Sequence, residues 1–247
     1  MQSIHLPEPP SALLDDASLF LDFDGTLVEL ADRPDAVHVD AALATLLTRL
    51  RVRLEGRVAI VSGRSIAQID GFLGAALDGI AVVGSHGAEI RTAGDDVVRP
   101  ERPATMLEAE RAFGERFGGN RGVVIEVKSL GVAIHYRLAP EIEEEAMALV
   151  ASFAAQDGLA VQHGKMMSEL RVAGHDKGTA IMALAETAPF AGHMPVFAGD
   201  DLTDETGFVA CAHAGGGGIL IGAARATAGT WRVADVPQFR NWLEQAA

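Results

Sequence analysis

The sequence predicts an α/β protein built on a parallel sheet, and three observations carry that expectation. Short apolar runs alternate with helical patterns along most of the 247 residues, the order that parallel strands joined by crossover helices require. Asp22, Asp24, Ser62, His86, Asp200 and Asp201 lie just past the ends of such runs, and open α/β sheets gather their chemistry at the carboxyl ends of the strands. One long segment, from about Pro103 to Val172, breaks the alternation and reads as an inserted domain.

Taken in order, Ala17–Leu21 is the first buried strand and stops at Asp22-Phe23-Asp24-Gly25-Thr26. Arg57–Val61 is the second and ends in Ser62-Gly63-Arg64; Ser65 and Gln68 then have capping-box spacing for a helix through Phe72. Ile80–Val83 is the third, running into Gly84-Ser85-His86-Gly87. Met194–Ala198 leads to Gly199-Asp200-Asp201, and Gly218–Ile221 makes a further strand. After Asp200 and Asp201, Thr203 is placed to cap an acidic helix start at Asp204 and Glu205.

Within the insertion, Met106–Phe117 has the pattern of an amphipathic helix. Val123–Lys128 and Val132–Arg137 read as a hairpin turning at Leu130-Gly131. Pro140 opens a second helix whose first turn is rich in glutamate, as the helix dipole favours. Leu159–His163 and Ser168–Val172 are two more strands. Alternation puts Glu126 and Lys128 on one side of their strand, and His135 and Arg137 on one side of its partner. Such a face is either solvated surface or a polar binding platform. The domain boundaries expected are 1–103 with 173–247 for the core and 104–172 for the insertion.

Composition restricts the partners. A formal charge of −14 with no Lys/Arg cluster excludes a nucleic-acid surface. No apolar stretch reaches the roughly 20 residues of a membrane span, and the first residues lack the basic and apolar regions of a signal peptide. Cys211 is the only cysteine and lies in an apolar helical pattern, so packing is its expected role and a reducing cytoplasm the expected compartment. No obligatory protein partner is indicated. Only three of the 20 basic residues are lysine: Lys128, Lys165 and Lys177. A chain that otherwise uses arginine marks these as positions where a compact ammonium matters, or keeps them by chance on the surface.

Asp22 and Asp24 stand one residue apart where the strand ends at Gly25. One carboxylate can attack phosphorus while the other handles a proton, and both offer hard oxygen ligands to Mg²⁺. The alternative is an acidic turn after a strand.

Asp22-Phe23-Asp24-Gly25-Thr26-Leu27 resembles the first motif of the haloacid dehalogenase superfamily of phosphohydrolases. Ser62, Lys177 and Asp200-Asp201 supply its three later pieces in the same order. Glu126-Val127-Lys128, the run from Gly164-Lys165 to Glu169, and Gly199-Asp200-Asp201-Leu202-Thr203-Asp204-Glu205 are similar to the trehalose-6-phosphate phosphatase subfamily. The resemblance covers Asp22 to at least Glu205. It implies a Rossmann-like core of haloacid dehalogenase type with an inserted α/β cap, hydrolysing trehalose 6-phosphate to trehalose and phosphate with Mg²⁺ as cofactor. It also implies roles: Asp22 as nucleophile, Asp24 as general acid/base, Ser62 and Lys177 on the phosphoryl oxygens. Mg²⁺ would be held by Asp22, the Asp24 carbonyl and Asp200, with Asp201 and Asp204 orienting its waters. Glu126, Lys128 and Glu169 would read the sugar, with Arg64 and Lys165 as further substrate contacts. His86 receives no role. Sucrose 6-phosphate or a mannosylglycerate phosphate are alternative substrates. A phosphohexomutase or a non-catalytic binding domain are alternative functions.

Overall fold

The computed structural model describes residues 6–31, 33, 36–155, 158–164 and 166–247. It divides into two compact units, one running to Val98 and resuming at Asp176, the other spanning Arg99–His175. Lys165 lies outside the described residues.

The chain begins with β1 (Ala17–Leu21), α1 (Ala41–Arg53), β2 (Val58–Val61), α2 (Ile66–Leu73), β3 (Ala81–Gly84) and β4 (Glu89–Arg91). The second unit holds α3 (Ala104–Phe117), β5 (Val124–Val127), β6 (Gly131–His135), α4 (Glu143–Ala154), β7 (Leu159–Gly164) and β8 (Met167–Val172). The first unit resumes with α5 (Lys177–Ala185), β9 (Met194–Gly199), α6 (Glu205–His213), β10 (Gly217–Ile221), β11 (Trp231–Val233) and α7 (Val236–Ala246).

Among the described residues, the first unit's sheet has seven strands in the order β11-β10-β9-β1-β2-β3-β4. All neighbours are parallel except β4, which runs antiparallel to β3. β1 is wholly buried at the centre. Its odd and even residues serve opposite faces, as a pleat requires: Leu19 and Leu21 pack with Leu43, Leu47, Ile69 and Phe239 of α1, α2 and α7, whereas Phe20 packs with Ile181, Leu184 and Phe208 of α5 and α6. Helices therefore cover both faces, which explains the continuous apolar runs in the sequence. Cys211 belongs to the second of these layers, and burial pushes its thiol up to about 12, so it packs and stays protonated.

The second unit is a four-stranded antiparallel sheet, β5-β6-β8-β7, with α3 and α4 packed on one face through Phe113, Ala146, Val150, Val132, Ile134 and Leu170. β5 and β6 form the expected hairpin, closed by the Lys128 N–H to the Gly131 carbonyl at 2.9 Å. Among the described residues, no helix is long and apolar enough to cross a membrane.

The sequence missed β4 and β11, each three residues long without an apolar run of its own. It also misplaced one cap. The acidic segment after β9 opens with a 3₁₀ turn, Leu202–Asp204, whose N-cap is Asp201 and not Thr203.

Helix α6 approaches the sheet at Gly207. A Cβ there would stand 2.4 Å from the Phe197 ring and 3.1 Å from Ile181. Gly207→Ala should gain about 1 kcal/mol of helix propensity but lose about 1–3 kcal/mol to overpacking, for net destabilisation. Urea unfolding of the variant checks this; a higher midpoint would mean that α6 can shift away from β9 at little cost.

Candidate active site

The central strands β9, β1 and β2 deliver the first residues of the site. Their register places Leu21 beside Ala198 on one side and Ile60 on the other. The next backbone bonds, Asp22 N–H to the Ala198 carbonyl and Ser62 N–H to the Val83 carbonyl, hold both residues at the sheet edge. The chain then turns at Gly25, whose φ of +77° favours glycine. A side chain at this position would also strike Asp200, with a Cβ 2.4 Å from its carboxyl carbon. Thr26 donates its hydroxyl to Asp22 Oδ2 at 3.3 Å.

Lys177 is the first residue of α5, where Asp176 and Thr179 form a capping box. Its ammonium is buried and donates to Asp22 Oδ1 at 2.7 Å and to Asp204 Oδ1 at 2.6 Å. Burial opposes the lysine charge, but Asp204 and Asp22 outweigh it and hold its pKa above the ordinary value. Burial also raises Asp22 well above the usual carboxylate range; Lys177 opposes that shift while Asp204 and Asp200 reinforce it.

Asp204 is fully buried, and Oδ2 accepts the N–H groups of Asp200 and Asp201 at 2.9 and 2.8 Å. One carboxylate therefore orients both the lysine and the backbone that presents Asp200. Carboxylate oxygens of Asp22, Asp200 and Asp204 lie within 4.8 Å of one another. The Lys177 ammonium beside these three carboxylates bonds Asp22 and Asp204, and an excess of negative charge on hard oxygen donors fits a divalent cation. Asp22 and Asp200 suit direct ligation. In Asp204, Oδ2 is filled by two amides and Oδ1 holds Lys177, so this residue suits support. Asp201 turns its carboxylate to the Leu202 N–H at 2.6 Å, capping the turn.

Arg64 lies on Asp24. Its Nε donates to Asp24 Oδ2 at 2.6 Å and its Nη2 to Oδ1 at 2.7 Å, a bidentate pair. The guanidinium stacks over Phe72, 4.8 Å from the ring centroid. Ser62 Oγ accepts the Arg64 N–H at 3.1 Å and keeps its own hydroxyl proton to donate.

The turn after β3 braces this segment. Ser85 and His86 both have positive φ, 49° and 56°, conformations that cost roughly 1–3 kcal/mol each for residues with a side chain. Their N–H groups donate to the carbonyls of Arg64 and Ser62 at 2.7 and 3.1 Å. The His86 ring occupies the space over Gly63, where a Cβ would stand 2.5 Å from Cε1. Glu89, also buried, accepts the Ile66 N–H and the Ser85 hydroxyl. His86 thus supports the Ser62–Arg64 loop, a role invisible in the sequence because it runs through backbone carbonyls.

In the second unit, the register aligns Glu126, Ala133, Glu169 and Gln162 across the four strands. The small Ala133 leaves room between the two glutamates. Lys128, two residues beyond Glu126, forms a buried ion pair with Glu169 at 2.6 Å. Glu126 pairs with His135 at 2.8 Å. These polar residues occupy the face opposite the one packed by Val132, Ile134 and Leu170.

A doubly wound core with an aspartate pair after β1, a serine after β2, a lysine and an acidic turn after β9 defines a phosphoryl-transfer core of the haloacid dehalogenase type. The family model for trehalose-phosphatase matches residues 20–237. A probable trehalose-phosphate phosphatase of Sinorhizobium fredii is 40% identical over 214 residues, covering 85% of this chain and 79% of that protein. Trehalose-6-phosphate phosphatase of Escherichia coli is 36% identical over 227 residues, 91% of this chain and 84% of the other. A solved trehalose-6-phosphate phosphatase related protein superposes with a TM-score of 0.76 at 30% identity, covering 92% of this chain and 95% of its own. The C-terminal domain of the C. albicans trehalose-6-phosphate phosphatase shares the fold, with a TM-score of 0.82 at 19% identity over 100% of this chain and 99% of that one. The chain belongs to the trehalose-phosphatase family.

The buried charges predict opposite effects of two substitutions. Lys177→Met strands Asp22 and Asp204 without a counter-charge and should cost about 3–5 kcal/mol of stability in chelator-treated protein. Asp22→Asn removes one of the crowded negative charges and leaves Lys177 paired with Asp204, so stability should hold or rise by about 1 kcal/mol. Denaturant melts of both variants decide; an Asp22→Asn protein much weaker than wild type would mean that the cluster is not electrostatically strained.

Proposed function

We propose that this protein is a Mg²⁺-dependent phosphatase that hydrolyses trehalose 6-phosphate to trehalose and phosphate through an aspartyl-phosphate. The observation that carries the proposal is the Asp22–Lys177–Asp204 arrangement, which holds a carboxylate at the sheet edge with Asp24 two residues away. Family membership supplies the substrate class.

In this reading an Asp22 carboxylate oxygen attacks phosphorus, and the bond from phosphorus to the sugar oxygen breaks. Asp24 gives that oxygen a proton. It then takes one from the water that attacks the phosphorus of the aspartyl-phosphate, which releases phosphate and restores Asp22. Ser62 and Lys177 donate to the phosphoryl oxygens. Asp22, the Asp24 carbonyl and Asp200 would hold Mg²⁺, which supplies positive charge to the phosphoryl oxygens and to the crowded carboxylates. Asp204 supports this set from behind, and Asp201 caps the turn that carries it. Arg64 orients Asp24; a phosphate dianion competes for the same fork and so frees Asp24 when substrate arrives. Glu126, Lys128 and Glu169 read the sugar hydroxyls, because carboxylates accept and an ammonium donates. Lys165 is assigned to the substrate on the strength of its motif alone.

Phosphate release from a panel of sugar phosphates tests the substrate. Trehalose 6-phosphate should show the highest kcat/KM, at least about tenfold above sucrose 6-phosphate or a mannosylglycerate phosphate. Chelation should abolish turnover and Mg²⁺ restore it. A different preferred sugar, or undiminished turnover in chelator, would reject the assignment.

The Lys128–Glu169 pair sets the form of the specificity test. Glu169→Ala removes a carboxylate that a buried lysine bonds and lowers stability, so the near-isosteric Glu169→Gln is the informative variant. It should lower kcat/KM for trehalose 6-phosphate by about tenfold or more while sparing p-nitrophenyl phosphate, which has no sugar. Equal losses on both substrates would remove Glu169 from sugar recognition.

A further inference from the structure

Arg225, in the loop between β10 and β11, has no place in the sequence motifs. Its Nη2 donates to the Asp201 carbonyl at 2.8 Å and reaches the Asp200 carbonyl at 3.4 Å. Its Nη1 donates to the Ala226 carbonyl at 3.1 Å and pairs with Glu205, at the start of α6. Glu205 uses its other oxygen to accept the Ala228 N–H at 2.7 Å, which ties the loop to the helix. From the opposite side, Asp204 Oδ2 accepts the N–H groups of Asp200 and Asp201. The peptide segment carrying Asp200 is therefore gripped twice, through its N–H groups by a carboxylate and through its carbonyls by a guanidinium. Asp200 has little slack, since its carboxyl carbon lies only 2.4 Å from where a Cβ on Gly25 would be.

We propose that Arg225 is a positioning residue for the divalent-cation site, fixing the Asp200–Asp201 backbone and through it the direction of the Asp200 carboxylate. The inference rests on the phosphatase reading above. Two effects of Arg225 on a cation oppose each other, which makes the sign decisive. As a positive charge near the site it repels a cation, an effect of about two- to threefold at ordinary salt. As a support it favours binding, and loss of such outer contacts typically costs about 10–100-fold in metal affinity. Positioning outweighs repulsion.

Mn²⁺ alone, titrated into chelator-treated full-length protein and followed by the electron paramagnetic resonance signal of the free ion, measures the site without turnover. Arg225→Ala should raise the Mn²⁺ Kd by about tenfold. Arg225→Lys, which keeps the charge but loses the fork, should weaken binding as well. Glu205→Gln, which leaves the carbonyl bonds in place, should stay within about threefold of wild type. Melting curves of the metal-free variants identify any protein that has not folded, and Arg225→Lys then carries the comparison. Unchanged or tighter binding in folded Arg225→Ala, or wild-type affinity in Arg225→Lys, overturns the inference alone. A wild-type protein that binds no Mn²⁺, with Asp200→Asn as its blank, overturns the metal reading and the inference together.

Discussion

The ammonium of Lys177, buried between Asp22 and Asp204, is the contact on which the site depends. It joins the end of β1, the start of α5 and the turn after β9, three segments far apart in the chain. Asp204 and Lys177 would each be costly to bury alone, and so would Asp22. Together they are tolerable, and the contacts that make them so also hold the Asp22 carboxylate at the end of β1. Glycine at positions 25 and 199 follows from the same crowding: a Cβ at either would stand 2.4 Å from the carboxyl carbon of Asp200 or Asp204, respectively. Folding and the proposed chemistry thus share one set of charges.

Around that contact the protein repeatedly uses charged side chains to hold backbone. Asp204 takes two amides, Arg225 takes carbonyls of the same segment, and Glu89 takes the first amide of α2. The turn at Ser85 and His86 holds the carbonyls of Ser62 and Arg64 at the expense of two strained φ angles. The loops that carry Ser62 and Arg64, and Asp200 and Asp201, are each fixed by a neighbour, as a site that must present donors without reorganising requires.

Much of this was legible in the sequence. Strands buried on both faces leave unbroken apolar runs, so β1, β2, β3, β9 and β10 stood out, and the residues at their ends marked the sheet edge that carries the site. The hairpin of the second unit followed from alternation around Leu130-Gly131. Short edge strands such as β4 and β11 carried no such signal. Nor did contacts between residues far apart in the chain: Arg64 on the Asp24 carboxylate, His86 over Gly63 and Arg225 on the Asp201 carbonyl join positions 23 to 40 residues apart, with no spacing to betray them. The 3₁₀ turn before α6 moved the cap from Thr203 to Asp201 for a local reason: Asp201 can reach the Leu202 N–H while Asp204 closes the capping box behind it.

A covalent route through Asp22 is the centre of the proposed function, and trapping the acyl phosphate tests it most directly. Acid quenching during turnover of trehalose 6-phosphate, followed by borohydride reduction, converts an aspartyl-phosphate to homoserine that peptide mass spectrometry can locate. The account predicts homoserine at Asp22, dependent on substrate and Mg²⁺. Homoserine at another aspartate, or sustained phosphate release with no reducible intermediate at Asp22, would contradict it.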